Sequence, residues 1–157
     1  MPLLVVVVSS LFAYRIAELN VQTARQQQGE EFEIRRSDEA RTKRAEVYER
    51  FLGAADRFAV AARAAIVECP SDCPSPPGDY QNARYEFQGA INQVYIYGSD
   101  EAVVRLRALA QTLPPALSGL SGGVTITPVA DREFRIAYQE FQIVICREVP
   151  AKPRREC

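Results

Sequence analysis

From Ala45 to Ile66 the apolar residues return at three- and four-residue steps, a period that only a helix can gather onto one side. Ala45, Tyr48, Leu52, Ala55, Ala59, Ala62 and Ile66 form the stripe, and Val47, Phe51, Ala54, Phe58, Ala61 and Ala65 widen it. The result is the broad apolar face of a core-facing bundle helix. The spacing predicts a helix over 45–67, halted by the proline-rich run Cys69-Pro70-Ser71-Asp72-Cys73-Pro74-Ser75-Pro76-Pro77-Gly78, which lacks the backbone donors and the dihedral freedom to continue it. Tyr80, Ala83, Phe87, Ala90, Ile91, Val94 and Tyr95 predict a second helix over 79–97. Val103, Val104, Leu106, Leu109 and Leu113 predict a third over 100–113, ended by Pro114-Pro115. Phe134, Ala137, Tyr138, Phe141, Ile145 and Cys146 predict a fourth over 128–147.

The punctuation between these stripes agrees with them. Gly98 suits a left-handed cap, Ser99 an N-cap, and Asp100 and Glu101 face the positive end of the helix that follows. Thr127 with Pro128 forms an N-cap and first-turn signal for the fourth helix. Four amphipathic helices with mostly short connections predict an all-α fold, an up-down antiparallel four-helix bundle over 45–149. Its expected core includes Phe51, Leu52, Phe58, Phe87, Val94, Leu106, Phe134 and Phe141.

Ahead of the bundle the chain changes character twice. No charged side chain occurs from Met1 to Tyr14, where Leu3-Leu4-Val5-Val6-Val7-Val8 and Leu11-Phe12-Ala13-Tyr14 are too apolar for a surface helix. We read 1–17 as a membrane anchor. A span of the roughly 30 Å hydrocarbon core needs about 20 apolar residues, so the anchor is expected to be truncated at its start. A cleaved signal peptide lacks its basic n-region and cleavage site here, and a Val-rich core strand has no second strand to pair with. Residues 18–44 are polar, with Gln26-Gln27-Gln28 and mixed charges, and predict a solvated helical stalk with a weak point at Gly29. Residues 150–157 form a tail whose three cations, Lys152, Arg154 and Arg155, are too few to argue for lipid or nucleic-acid binding.

The chemistry the chain can perform is narrowed by what it lacks. It has no histidine, the usual general base near neutrality and the commonest metal ligand. A net charge of −1, from 19 basic and 20 acidic residues, offers no broad field for nucleic acid. Gly119-Leu120-Ser121-Gly122-Gly123 matches the letters of a serine-hydrolase elbow, but neither a strand before it nor a helix directly after it is expected, and a flexible loop is the better reading. Tyr80, Tyr85, Tyr95 and Tyr97 read as core and rim aromatics rather than a ligand platform. No cofactor, metal or small-molecule ligand is indicated.

The four cysteines remain. Their spacing, three residues between Cys69 and Cys73 and ten between Cys146 and Cys157, fits a four-cysteine zinc site poorly. An up-down bundle would also put the two pairs at opposite ends. Four free thiols in a cytoplasmic protein are one alternative, and four cysteines allow three pairings. The topology favours disulfides Cys69–Cys73 and Cys146–Cys157, and with them a domain outside the cytoplasm rather than on its inner face.

Arg44-Ala45-Glu46-Val47-Tyr48-Glu49-Arg50-Phe51-Leu52 and Val94-Tyr95-Ile96-Tyr97-Gly98-Ser99-Asp100-Glu101-Ala102 resemble segments of uncharacterised bacterial proteins, of a kind frequent in actinobacteria. The resemblance implies one membrane helix, a charged stalk and a helical domain, and it carries no functional residue. The expectation is therefore a single-pass, non-enzymatic interaction or sensory module with a protein partner. The alternatives are a structural subunit of a membrane or envelope assembly and, last, an enzyme using carboxylates alone.

Overall fold

The computed structural model describes residues 3–69, 75–115, 126–150 and 156–157; within the first helix the side chains of residues 3–27, 29 and 30 lie outside the description. Four helices follow in order: α1 (Leu3–Glu68), α2 (Gly78–Tyr97), α3 (Asp100–Ala110) and α4 (Asp131–Glu148). No strand occurs among the described residues, so the fold is all-α. The chain divides into two compact units, Met1–Glu39 and Ala40–Cys157.

In the first unit α1 runs unbroken through Gly29, the weak point expected of the stalk. The glutamines and glutamates around it are strong helix formers, and together they offset a glycine cost of about 1 kcal/mol. Residues 31–39 are all exposed, Phe32 and Ile34 among them. Ser37 donates its hydroxyl back to the Ile34 carbonyl at 2.9 Å. Among the described residues no helix is long and apolar enough to cross a membrane. The anchor expected over 1–17 falls on residues whose side chains lie outside the description.

The second unit is a helical bundle whose pairings fix its directions. Phe51 of α1 stacks on Phe87 of α2 with centroids 5.7 Å apart, and Phe58 meets Tyr80 at 5.5 Å, so α2 runs antiparallel to α1. Tyr48 meets Phe141 at 5.4 Å while Arg63 binds Asp131 at 2.6 Å, so α4 is antiparallel to α1 as well. Arg105 with Glu140 and Arg147 with Glu101 reverse α3 against α4. The eight core residues named from the sequence are all buried. Ala54, Ala55, Ala59, Ala62 and Ala65 are buried beside them; their small side chains let neighbouring helices approach α1 closely.

Three local expectations are corrected. Gly98 is extended, at φ −76° and ψ 165°, not left-handed. Glycine is needed there for room, since a Cβ would sit 2.6 Å from the Val94 carbonyl oxygen and 2.9 Å from Val94 Cγ1. Helix α3 stops at Ala110 rather than 113. Thr112 and Leu113 make tightened bonds to the Leu109 and Ala110 carbonyls, because a residue preceding proline is barred from the helical region. Helix α4 begins at Asp131, with Ala130 rather than Thr127 before it and no side-chain cap. Ile126 and Val129 are instead drawn into the core, and the Ala130 N–H donates to the Thr112 carbonyl at 3.0 Å, satisfying an otherwise orphaned group at the end of α3. Asp131 and Glu133 still complement the α4 dipole.

Candidate functional site

Helices α1 and α4 do not close along their whole length. On the end of the bundle where α1 passes residues 45–53, an open groove of about 660 Å³ separates them. Helix α1 supplies Ala45, Glu49, Leu52 and Gly53, all on one side of a helix with 3.6 residues per turn. Helix α4 supplies Tyr138, Gln142, Ile145 and Cys146 at the same spacing, and Val149 and Pro150 finish the wall. The groove exists because small residues occupy α1 where larger ones would meet α4. At Gly53 an added Cβ would meet only the Arg57 guanidinium, 3.4 Å away.

The lining is mostly apolar with a few polar groups: the Glu49 carboxylate, the Gln142 amide and the Tyr138 hydroxyl. Burial, and after it the negative charge of Asp56, push the Tyr138 phenol above its ordinary value. Small-molecule and peptide sites have this character, apolar walls with sparse polar groups and volumes of about 300 to 1,000 Å³.

One end of the groove is braced by two devices. Cys146 on its wall forms a disulfide with Cys157, with Cα atoms 5.9 Å apart. Beside it, Tyr48 donates to Glu148 at 2.8 Å and accepts from the Ser99 N–H at 3.0 Å. Ser99 donates its hydroxyl to the other Glu148 oxygen and accepts from the Ala102 N–H, as the N-cap of α3. Three segments, α1, the α2–α3 corner and the end of α4, are thus joined through one buried phenol. Burial is the first reason the Tyr48 phenol is raised above its usual value. The arrangement is a structural clasp, since each oxygen in it is occupied by a partner within the protein.

The chain matches no family model, no curated protein and no solved structure.

Of the other residues singled out from the sequence, Cys69 is disulfide-bonded, and Cys73 lies outside the described residues, as does the loop 119–123. Leu52 lines the groove with Cys146, and Cys69 is about 25 Å further along α1 at roughly 1.5 Å per residue. The cysteines are therefore not gathered into one cluster, and among the described residues no group of three or more potential ligands could hold a metal. Tyr80 is buried against Phe58, while Tyr85, Tyr95 and Tyr97 are exposed and each lies under a cationic side chain.

Two features escaped the sequence reading. The groove did, because Glu49 and Gln142 look like ordinary surface residues until α1 and α4 are set side by side. Arg84 did as well: it occupies the core-facing stripe of α2 between Tyr80 and Phe87 and is only 7% exposed. Its Nε has no hydrogen-bond partner among the described residues. The signal was present, since position 84 is four residues from Tyr80 and three from Phe87.

Proposed function

We propose that this chain is a non-enzymatic, membrane-tethered interaction or sensory module whose bundle receives its ligand in the groove between α1 and α4. The groove itself carries the reading, being a large, mostly apolar recess with few polar groups among its described lining residues. Among the described residues its lining holds one carboxylate, Glu49, whereas carboxylate hydrolysis needs two acids facing across a cleft. Support for the tether comes from the uncharged run at the head of the chain. Support for a bundle outside the cytoplasm comes from the Cys146–Cys157 bridge, since such bonds persist in oxidising compartments.

A photoreactive residue placed at Gln142 tests the reading in native membranes, with the same residue at Val104, exposed on α3, as the control. Specific adducts are expected at 142 and not at 104. Equal labelling at both positions, or none at 142, would remove the groove as the recognition surface. A reporter fused after Cys157 tests the orientation, and a signal confined to the cytoplasm would reverse it.

A further inference from the structure

Helices α1 and α2 each carry a second stripe, turned away from the core. On α1 it runs through Gly53, Arg57, Val60, Ala64 and Val67, and on α2 through Asn82, Tyr85, Gly89, Asn92 and Ile96. Steps of three and four that alternate in this way are the spacing of a seam between packed helices. Only Gly53 is partly covered; the rest are exposed, the large apolar side chains of Val60, Val67, Tyr85 and Ile96 included. Two shallow grooves open between α1 and α2 on this face and share Arg57 and Glu86. Ala54, Ala61, Ala64, Ala83 and Ala90 line them, so a further helix could approach closely. Gly89 has the same effect. Glycine weakens a helix interior, and an added Cβ here would still meet nothing within 4 Å among the described residues.

We infer that this face docks a second copy of the chain across a two-fold axis parallel to α1. Such an axis sets α1 of each copy against α2 of the other at the same level. Arg57 and Glu86 are level with one another, joined at 3.1 Å, and both are more than half exposed. Across the axis each therefore meets its opposite, and the four side chains form a ring of alternating charge. One turn along the bundle, Gly53 of one copy comes opposite Gly89 of the other, and one turn the other way Val60 comes opposite Asn82. A copy turned end for end about the same level would instead put Arg57 against Arg57 and Glu86 against Glu86. The face from Arg50 to Val67 is about 25 Å long at roughly 1.5 Å per residue, and two packed helices make it about 20 Å wide. Pairing then covers about 500 Å² on each copy, about 1,000 Å² in all, which is where specific interfaces begin. The interface goes beyond the proposed function; it shares with it only the tether, since a parallel axis leaves both chains running the same way from one membrane.

The test uses the full chain at low density in liposomes of zwitterionic lipid, with a photoreactive residue at Val60 or, as control, at Ile136, exposed on α4. Irradiation is expected to give a crosslinked dimer from position 60 and not from 136. Arg57→Glu and Glu86→Arg, each at an exposed side chain, should lower the yield at least about tenfold, because like charges then face one another. The two variants have complementary faces, so mixed in one membrane they should crosslink to each other at the original level. Gly89→Leu should lower the yield by blocking close approach while circular dichroism shows the bundle intact. Equal yields from 60 and 136, single variants that still pair, a mixture that does not, or an unchanged yield in Gly89→Leu would overturn the interface and leave the groove reading standing. If the chain does not enter liposomes the tether falls, and the same crosslinks made in solution decide the interface by themselves.

Discussion

Replacing Arg84 with methionine should make this protein more stable. The side chain is 7% exposed, and its stem fills the α2 stripe between Tyr80 and Phe87. Its buried Nε has no acceptor among the described residues, and an unsatisfied buried donor costs about 1 to 3 kcal/mol. Against this stands the guanidinium over the Tyr85 ring, 5.4 Å from its centroid. Tyr85 is 59% exposed, so that contact is worth only about 0.5 to 1 kcal/mol. Methionine keeps an unbranched, flexible apolar stem in the same channel and brings no buried donor. The difference predicts a gain of up to about 2.5 kcal/mol for Arg84→Met, in keeping with the finding that apolar replacements of buried ion pairs are often neutral or stabilising. For a unit of this size that corresponds to a midpoint rise of up to roughly 10 °C. Thermal and urea melts of the reconstituted chain, followed by circular dichroism, measure it. A loss of more than about 1 kcal/mol would refute the reasoning, because it would mean that the guanidinium holds a partner worth more than its desolvation.

Other substitutions and conditions probe the remaining joints of the bundle. Gly89→Ala on α2, where an added Cβ meets nothing within 4 Å, should raise stability by about 0.5 to 1 kcal/mol in a urea melt. Gly98→Ala should lower it, and an unchanged midpoint would show that the corner has room to spare. Burial raises the phenols of Tyr48, Tyr80 and Tyr138. Folding therefore binds their protons more tightly, so this contribution is complete below the ordinary tyrosine value of 10.0 and is lost as pH rises past it. A urea midpoint that falls from about pH 10 upward is expected, and the fall should be shallower in Tyr138→Phe. Changing Cys146 and Cys157 together to serine should cost roughly 2 to 3 kcal/mol on the chain-entropy model for their 11-residue separation. The same loss should follow reduction of the unmodified chain, and a melt insensitive to both would show that the tail is not held by this bond.

The number, order and faces of the helices were legible in the sequence because each depends on local spacing. Residues three and four apart share a side whatever the helix packs against, so most of each stripe and the buried phenylalanines could be assigned without coordinates, whereas Tyr95 and Val104, read into the stripes of α2 and α3, are exposed. Ser99 as the cap of α3 was equally local, since its hydroxyl and the Ala102 N–H are three residues apart. The groove, the clasp of Tyr48, Ser99 and Glu148, and the orphaned Arg84 depended on tertiary structure. Tyr48 and Glu148 are separated by 100 residues, and no local period relates them. Gly98 shows the boundary within a single residue: its glycine was read as a conformational need, while the structure makes it a need for space against Val94 and Tyr48. The start of α4 moved for the same reason, as burial of Ile126 and Val129 outweighed the capping signal at Thr127. Local patterns fix which side of a helix turns inward, whereas gaps, clasps and unpaired charges arise only when two such sides meet.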